Sequence, residues 1–181
     1  MGFSATWCAV PESKADQFLD QLGLRPTGEC EEFPESLISA ARLDTGWRVV
    51  WFGEYDCPLL RDQDLARLSA DQELLLCKVE EHVMASSAEL WSGGRRTWWL
   101  SHEGEAGPKG LAADGALPAS FQTIRSEMEK MQLEEGGDDA DVDYIFEIPL
   151  LLAQSIVGFK HDEDSRHVIN SEFQVLSRSK R

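Results

Sequence analysis

The chain has 181 residues, of which 42% are hydrophobic, so it is long and apolar enough for one domain with a substantial core. Its 33 acidic and 17 basic residues give a net charge of −16 at pH 7, and this negative field makes binding to nucleic acid or to anionic membranes unfavourable. The same field favours a basic protein partner, although an acidic surface that serves solubility alone is the competing interpretation.

The cysteines and the apolar runs indicate the cellular compartment of the protein. The four cysteines form no CxxC pair, so we expect free thiols in a reducing compartment. The first ten residues have neither a basic start nor a long apolar stretch, which argues against a signal peptide. The longest apolar run, at 148–153, is too short to cross a bilayer. We therefore expect a cytoplasmic protein.

Two elements at the start of the chain have clear local signals. Residues 3–9 alternate in polarity with the period of two that is typical of a strand. Residues 13–22 then place apolar side chains on one face of a helix, and Gly23 stands where a left-handed helix cap belongs. Residues 25–46 hold two prolines and two glycines among acidic residues, so we expect mostly loop, with a short helical turn at 36–41.

The middle of the chain predicts a β-meander. Leu65 and Leu68 indicate one short helix, and strands surround it on both sides. The predicted strands lie at 47–55, 73–83, 84–91 and 95–102. The last three follow one another without a helix between them, which favours antiparallel pairing. Gly93 and Gly94 are typical of a two-residue hairpin, because both residues tolerate positive φ.

Three of the six tryptophans, Trp91, Trp98 and Trp99, lie in this hairpin. Adjacent residues of a strand point to opposite faces of the sheet, so Trp98 and Trp99 cannot enter the same core. A regular hairpin sets Trp91 opposite Arg96, with Trp98 on that same face and Trp99 on the other. Either both faces of the sheet are covered or one tryptophan is exposed. Trp98 and Trp99 are therefore candidate anchors for a partner as well as candidate core residues.

The last third of the chain is less regular. Residues 103–118 hold four glycines and two prolines and predict a loop, and a helix with one apolar face from Phe121 to Met131 follows. The remaining predicted elements are an extended stretch at 144–148, a helix from Pro149 to about Val157, a strand at 172–177 and a frayed basic tail at 178–181. The pattern as a whole predicts a single α+β domain over 1–177, a largely antiparallel sheet of five or six strands with helices packed against it.

The most acidic segment is EEGGDDADVD, residues 134–143. Its charge density and two glycines predict a solvated, mobile loop. A calcium loop is excluded, because Tyr144 and Leu150 stand where such a loop requires glycine and an acidic residue. The carboxylates could instead steer a basic partner towards the protein. These candidate partner-binding residues are Glu134, Glu135, Asp138, Asp139, Asp141 and Asp143.

No catalytic or cofactor-binding motif is recognisable. GxSxG, GxxxxGK[ST] and GxGxxG are missing, so we predict neither a nucleophilic serine at an elbow nor a nucleotide cofactor. His82, His102 and His161 stand near acidic residues, but HExxH, HxH and HxxxH pairs are also missing, and we predict no metal site. The alternative hypothesis is a small metal-dependent hydrolase that uses these histidines.

The segments VEEHVMASSAELW (79–91) and DYIFEIPLLLAQSIVGFKHDE (143–163), with the opening MGFSATWCAV, resemble an uncharacterised family of small bacterial proteins. With the helix after the first strand, they cover about half the chain. The resemblance implies a bacterial cytosolic setting and a single α+β domain, and it transfers no site residue. The first functional hypothesis is a non-enzymatic cytosolic binding protein for a basic partner, similar to the acidic immunity proteins that neutralise toxins.

Overall fold

A computed structural model describes residues 2–163 and 166–179. Within these residues the strands are β1 (Ser4–Pro11), β2 (Leu24–Glu31), β3 (Ile38–Arg42), β4 (Trp47–Phe52), β5 (Glu73–Glu80), β6 (Ala85–Ser92), β7 (Arg95–His102), β8 (Leu111–Gly115) and β9 (Phe173–Arg178). The helices are α1 (Ala15–Leu22), α2 (Asp62–Leu68), α3 (Ser120–Glu134) and α4 (Glu147–Val157).

The nine described strands form one antiparallel sheet in the order β2-β9-β3-β4-β1-β5-β6-β7-β8. The predicted α+β class is confirmed, but the sheet is larger than the predicted five or six strands. The additional strands β2, β3 and β8 lie in segments that we predicted as loop. The predicted helical turn at 36–41 is wrong, because β3 occupies most of it and pairs with both β4 and β9.

The two edge strands escaped prediction for a physical reason. β2 and β8 each have a neighbour on one side only, and most of their residues are exposed. An exposed edge strand needs no apolar alternation, and it tolerates proline and glycine, which a central strand does not. Pro26 and Gly28 lie in β2, where the pairing with β9 is interrupted between Pro26 and Cys30.

The predicted glycine turn and the glycine caps of two helices are confirmed. The predicted hairpin is present, with φ values of 58° at Gly93 and 74° at Gly94. Gly23 and Gly158 end α1 and α4 in the left-handed conformation.

The stretch at 144–148 is not extended as predicted. It forms a 3₁₀ turn that leads into α4, because the Asp143 carboxylate caps it by accepting hydrogen bonds from two backbone amides.

The last described strand in the sequence lies close to its predicted position. The strand predicted at 172–177 is confirmed as β9, which runs to Arg178. Arg178 pairs with Leu24 of β2, so the first residue of the predicted frayed tail belongs to the sheet. Residues 180 and 181 of that tail lie outside the described part of the chain.

Helices pack on both faces of the sheet. On one face, α3 and α4 cover a core whose largest fully buried side chains include Trp7, Trp98 and Leu100. On the other face, α1 and α2 cover a second core, which includes Phe18, Phe52 and Leu65. The two faces are therefore apolar over much of the sheet.

A β-bulge in β7 decides which tryptophan faces which core. Trp91 lies opposite Arg96 as predicted, but the register then shifts, and Leu90 lies opposite Trp98. Thr97 is the extra residue, and it reverses the alternation that a regular strand would keep. Trp98 consequently packs with Leu90 under α3 and α4, whereas Trp91 belongs to the other core. The predicted common face for Trp91 and Trp98 is therefore wrong.

Candidate functional site

A groove with a volume of about 540 Å³ lies over the neighbouring strands β5, β6 and β7, towards the β8 edge of the sheet. Its floor is the part of the α1/α2 face formed by these three strands. The floor side chains are Lys78, Glu80, Ser87, Glu89, Trp99 and Ser101. Tyr55 and Asp56, after β4, and Asp62, the first residue of α2, line it from one direction. Residues 103–105, after β7, also line it.

The register of the strands aligns the floor into rows. Lys78 lies opposite Ser87, and Ser87 lies opposite Ser101, so one row crosses three strands. Glu89 lies opposite Trp99 in the next row. Side chains directly opposite each other in an antiparallel pair are within contact distance. The floor is therefore a continuous polar surface with one large aromatic ring in it.

The groove is acidic. Six carboxylates line it, from Asp56, Asp62, Glu80, Glu89, Glu103 and Glu105. Two cations accompany them, Lys78 and Arg96. Lys78 Nζ lies 3.4 Å from Asp56 Oδ1 and 5.6 Å from the centre of the Tyr55 ring. Burial raises the pKa of the Tyr55 hydroxyl, and the charges of neighbouring carboxylates raise this pKa further, so the phenol stays neutral and available as a hydrogen-bond donor.

Trp99 and Arg96 form the aromatic end of the groove. The Arg96 guanidinium lies 5.7 Å from the centre of the Trp99 ring and 5.9 Å from that of Trp91. Its Nη1 atom donates a hydrogen bond of 3.1 Å to Glu89 Oε2. Both distances to the rings are within the range of cation–π attraction. The floor thus already holds one guanidinium group, against two indoles and a carboxylate.

The two tryptophans predicted as candidate partner-binding residues, Trp98 and Trp99, have different environments in the structure. Trp98 is 2% exposed and belongs to the core under α3 and α4, so it offers no surface to a partner. Trp99 is partly exposed and lines the groove. Trp99 is therefore the one of this pair that is placed to contact a ligand.

The acidic segment is held by hydrogen bonds to one side chain of α3. Gln132 is buried, and its Nε2 atom donates to the carbonyl oxygens of Gly137 at 2.7 Å and Val142 at 3.0 Å. Its Oε1 atom accepts from the Tyr144 amide at 2.8 Å. One buried amide group therefore closes the segment at both ends. The exposed carboxylates of the segment are those of Glu134, Glu135, Asp138, Asp139 and Asp141.

Asp143 differs from the other nominated acids. Its Oδ2 atom lies 2.8 Å from Nε2 of the buried His102, and its Oδ1 atom caps the following turn. It therefore has a structural role. The acidic segment and Trp99 do not line one groove, but the turn Gly104–Lys109 lies between them. Glu105 of this turn lines the groove, and Lys109 is paired with Asp138.

The three candidate metal ligands are dispersed among different carboxylates. His82 Nδ1 lies 2.6 Å from Glu80 Oε1, and His161 Nε2 lies 3.1 Å from Glu81 Oε1. His102 is held by Asp143, as described above. Among residues 2–163 and 166–179, no three histidine, cysteine, aspartate or glutamate side chains are grouped so that they could hold a metal ion.

Sequence reasoning missed the polar floor of the groove. The alternation of β5 already placed Lys78 and Glu80 on the face opposite Leu75 and Cys77, and this was the available signal. The pattern does not show that this part of the face stays open, because that depends on where α1 and α2 pack.

Comparisons with known proteins do not indicate a function for this chain. No family model matches the chain, and neither a curated protein nor a solved structure is significantly similar to it. In the described part of the chain, no helix is long and apolar enough to cross a membrane.

Proposed function

We propose that this protein is a non-enzymatic binding protein whose groove takes a basic segment of a protein partner. One observation carries the proposal: an open part of the sheet face combines six carboxylates with a partly exposed tryptophan. Tryptophan is a frequent anchor of protein interfaces, and a carboxylate-lined cleft attracts cations. Lysine and arginine side chains are the partner groups that satisfy both features.

The charge of the whole molecule supports a basic partner. The chain carries −16, and residues 127–147 contribute nine acidic residues against one lysine. Complementary charge raises the rate at which two proteins meet, mostly through groups at the rim of an interface. The exposed carboxylates after α3 are joined to the groove by the turn Gly104–Lys109, so they lie on the approach to it. In this proposal the exposed carboxylates steer the basic partner towards the protein, and the groove binds it.

The setting belongs to the same proposal. We infer a cytosolic bacterial protein, comparable with the acidic immunity proteins, that binds neither nucleic acid nor membranes. The family resemblance and the negative charge support this inference. A toxin or another basic protein encoded beside it is the expected partner class.

A fluorescence titration with defined peptides tests the proposal. The probes are a short capped peptide of alternating arginine and threonine, its lysine counterpart and its glutamate counterpart. We expect the basic peptides to bind and to be displaced by salt, and the glutamate peptide not to bind. Trp99→Ala should weaken binding at least about tenfold, the scale of an interface anchor.

Trp47→Ala is the matched control, because Trp47 is also partly exposed but packs against the other core. It should leave the affinity for the basic peptides unchanged. Equal binding of the glutamate peptide, or an unchanged affinity in Trp99→Ala, contradicts the proposal.

A further inference from the structure

Arg96 occupies the place in the groove that suits a partner's cation best. Its guanidinium group lies against the rings of Trp91 and Trp99 and donates to the Glu89 carboxylate. The Glu89 side chain is 15% exposed, and its recorded cationic partner among the described residues is Arg96. An aromatic surface beside a carboxylate is the environment in which proteins bind a guanidinium group.

We propose that Arg96 is an internal substitute for an arginine of the partner, and that docking displaces it from Trp99 and Glu89. This inference rests on the proposed function, since it requires a basic partner in the groove. It names the group that is recognised, a guanidinium, and the residues that recognise it. It also names the residue of this chain that competes with the partner.

The position of Arg96 suits displacement. Its side chain is 41% exposed, so the guanidinium can move into solvent without disrupting a core. Its hydrogen bond to Glu89 is the polar contact that displacement would break, and a guanidinium group of the partner would replace it. Arg96 also precedes the bulge at Thr97, where the ladder is already interrupted. The indole of Trp99, by contrast, is attached to the regular part of β7.

The same geometry predicts a preference between basic side chains. The guanidinium group is planar, stacks on aromatic rings and is weakly hydrated, whereas the lysine ammonium group is compact and strongly hydrated. A site whose floor is an indole ring and whose edge is a carboxylate therefore favours arginine. The arginine–threonine peptide should bind more tightly than the lysine–threonine peptide, by about threefold to fivefold.

If Arg96 competes with the partner, its substitution should raise the affinity for the arginine peptide, whereas the loss of a purely structural role would not. Arg96→Ala removes the competing cation and uncovers Trp99, so the arginine peptide should bind about threefold to fivefold more tightly. Arg96→Gln should act in the same direction and guards against an effect of the smaller alanine side chain. Circular dichroism and thermal unfolding of both variants verify that they are folded.

Arg95→Ala is the matched control. Arg95 carries the same charge and is also exposed, but it precedes Arg96 on β7 and lies opposite Ser92, so it points to the other face. Its removal changes the net charge equally, and it should tighten binding less than twofold at physiological salt. The difference between the two alanine variants measures the competition at Trp99.

The outcomes separate this inference from the proposed function. If the basic peptides bind and Trp99→Ala weakens them, but Arg96→Ala binds equally or more weakly, Arg96 is not a competitor and the inference is wrong. If Arg95→Ala tightens binding as much as Arg96→Ala, the effect is one of net charge, and the inference is again wrong. If no basic peptide binds to any variant, the proposed function itself fails.

Discussion

The bulge in β7 predicts opposite consequences for two neighbouring tryptophans. Trp98 is 2% exposed, and replacing a buried tryptophan by alanine costs about 3–5 kcal/mol. For a domain of this size, 1 kcal/mol corresponds to about 2–4 °C in Tm, so Trp98→Ala should lower Tm by about 6–20 °C. Trp99 is only partly buried at the groove, and Trp99→Ala should cost about 1 kcal/mol.

Thermal and urea unfolding of the two variants measure this difference. Acrylamide quenching gives an independent readout, with phenylalanine as the milder replacement. Trp99→Phe should reduce the readily quenched part of the fluorescence, to which the partly exposed Trp47 also contributes, and Trp98→Phe should leave it unchanged. Without the bulge, alternation would place Trp99 beneath α3 and α4 and Trp98 in the groove. Greater destabilisation by Trp99→Ala than by Trp98→Ala would therefore refute the assignment of faces.

Three further predictions concern the acidic segment and a buried charge. Gln132→Ala should destabilise the protein by about 1–3 kcal/mol in urea unfolding, because it removes three hydrogen bonds between a buried side chain and partly buried backbone groups, and Gln122→Ala on the exposed side of the same helix should not. Burial raises the pKa of Asp162, but its hydrogen bond with the buried Lys160 and its charge interactions with His161 and Lys160 lower this pKa overall. A carboxyl group with a lowered pKa stabilises the fold above its unfolded value of about 3.9 and loses this contribution as the pH falls through the folded value. Asp162→Asn should therefore reduce the stability at pH 7 and flatten its decline below about pH 4, as measured by urea midpoints across a pH series. Neutralising the exposed acids of the segment should slow association with the arginine peptide in stopped-flow experiments and flatten its salt dependence without lowering Tm, and equal rates at low salt would show that the segment does not steer. The residues to be changed together are Glu134, Glu135, Asp138, Asp139 and Asp141.

The sequence predicted those parts of the fold whose causes are local. The glycine pair at 93–94 specifies its own hairpin, because few other residues adopt positive φ at both positions. Gly158 ends α4 for the same reason. β2 lacks such a cause, since its pairing with β9 joins residues about 150 positions apart in the sequence. Composition alone made that segment resemble a loop.

The candidate site could be predicted only in part. Alternation indicated that Trp98 and Trp99 face opposite sides of the sheet, so that either both faces are covered or one of the two is exposed. It could not identify which one, because a single extra residue at Thr97 exchanges the faces. The hydrogen bonds that hold the acidic segment were also not predictable, because the side chain of Gln132 forms them and the pattern of charges does not reveal this.

The position of β9 in the sheet has a consequence for how the protein is made. β9 lies between β2 and β3, although it follows both by more than 130 residues. A ribosome releases β2 early, and β2 must wait without a strand partner until β9 emerges, because its pairing is with β9. Pairings between such distant residues slow folding, and unpaired strand edges favour aggregation while they last. Shortening the chain before Phe173 would delete β9 and leave β2 without a strand partner, and a fusion placed directly after Arg178 would follow an interior strand of the sheet.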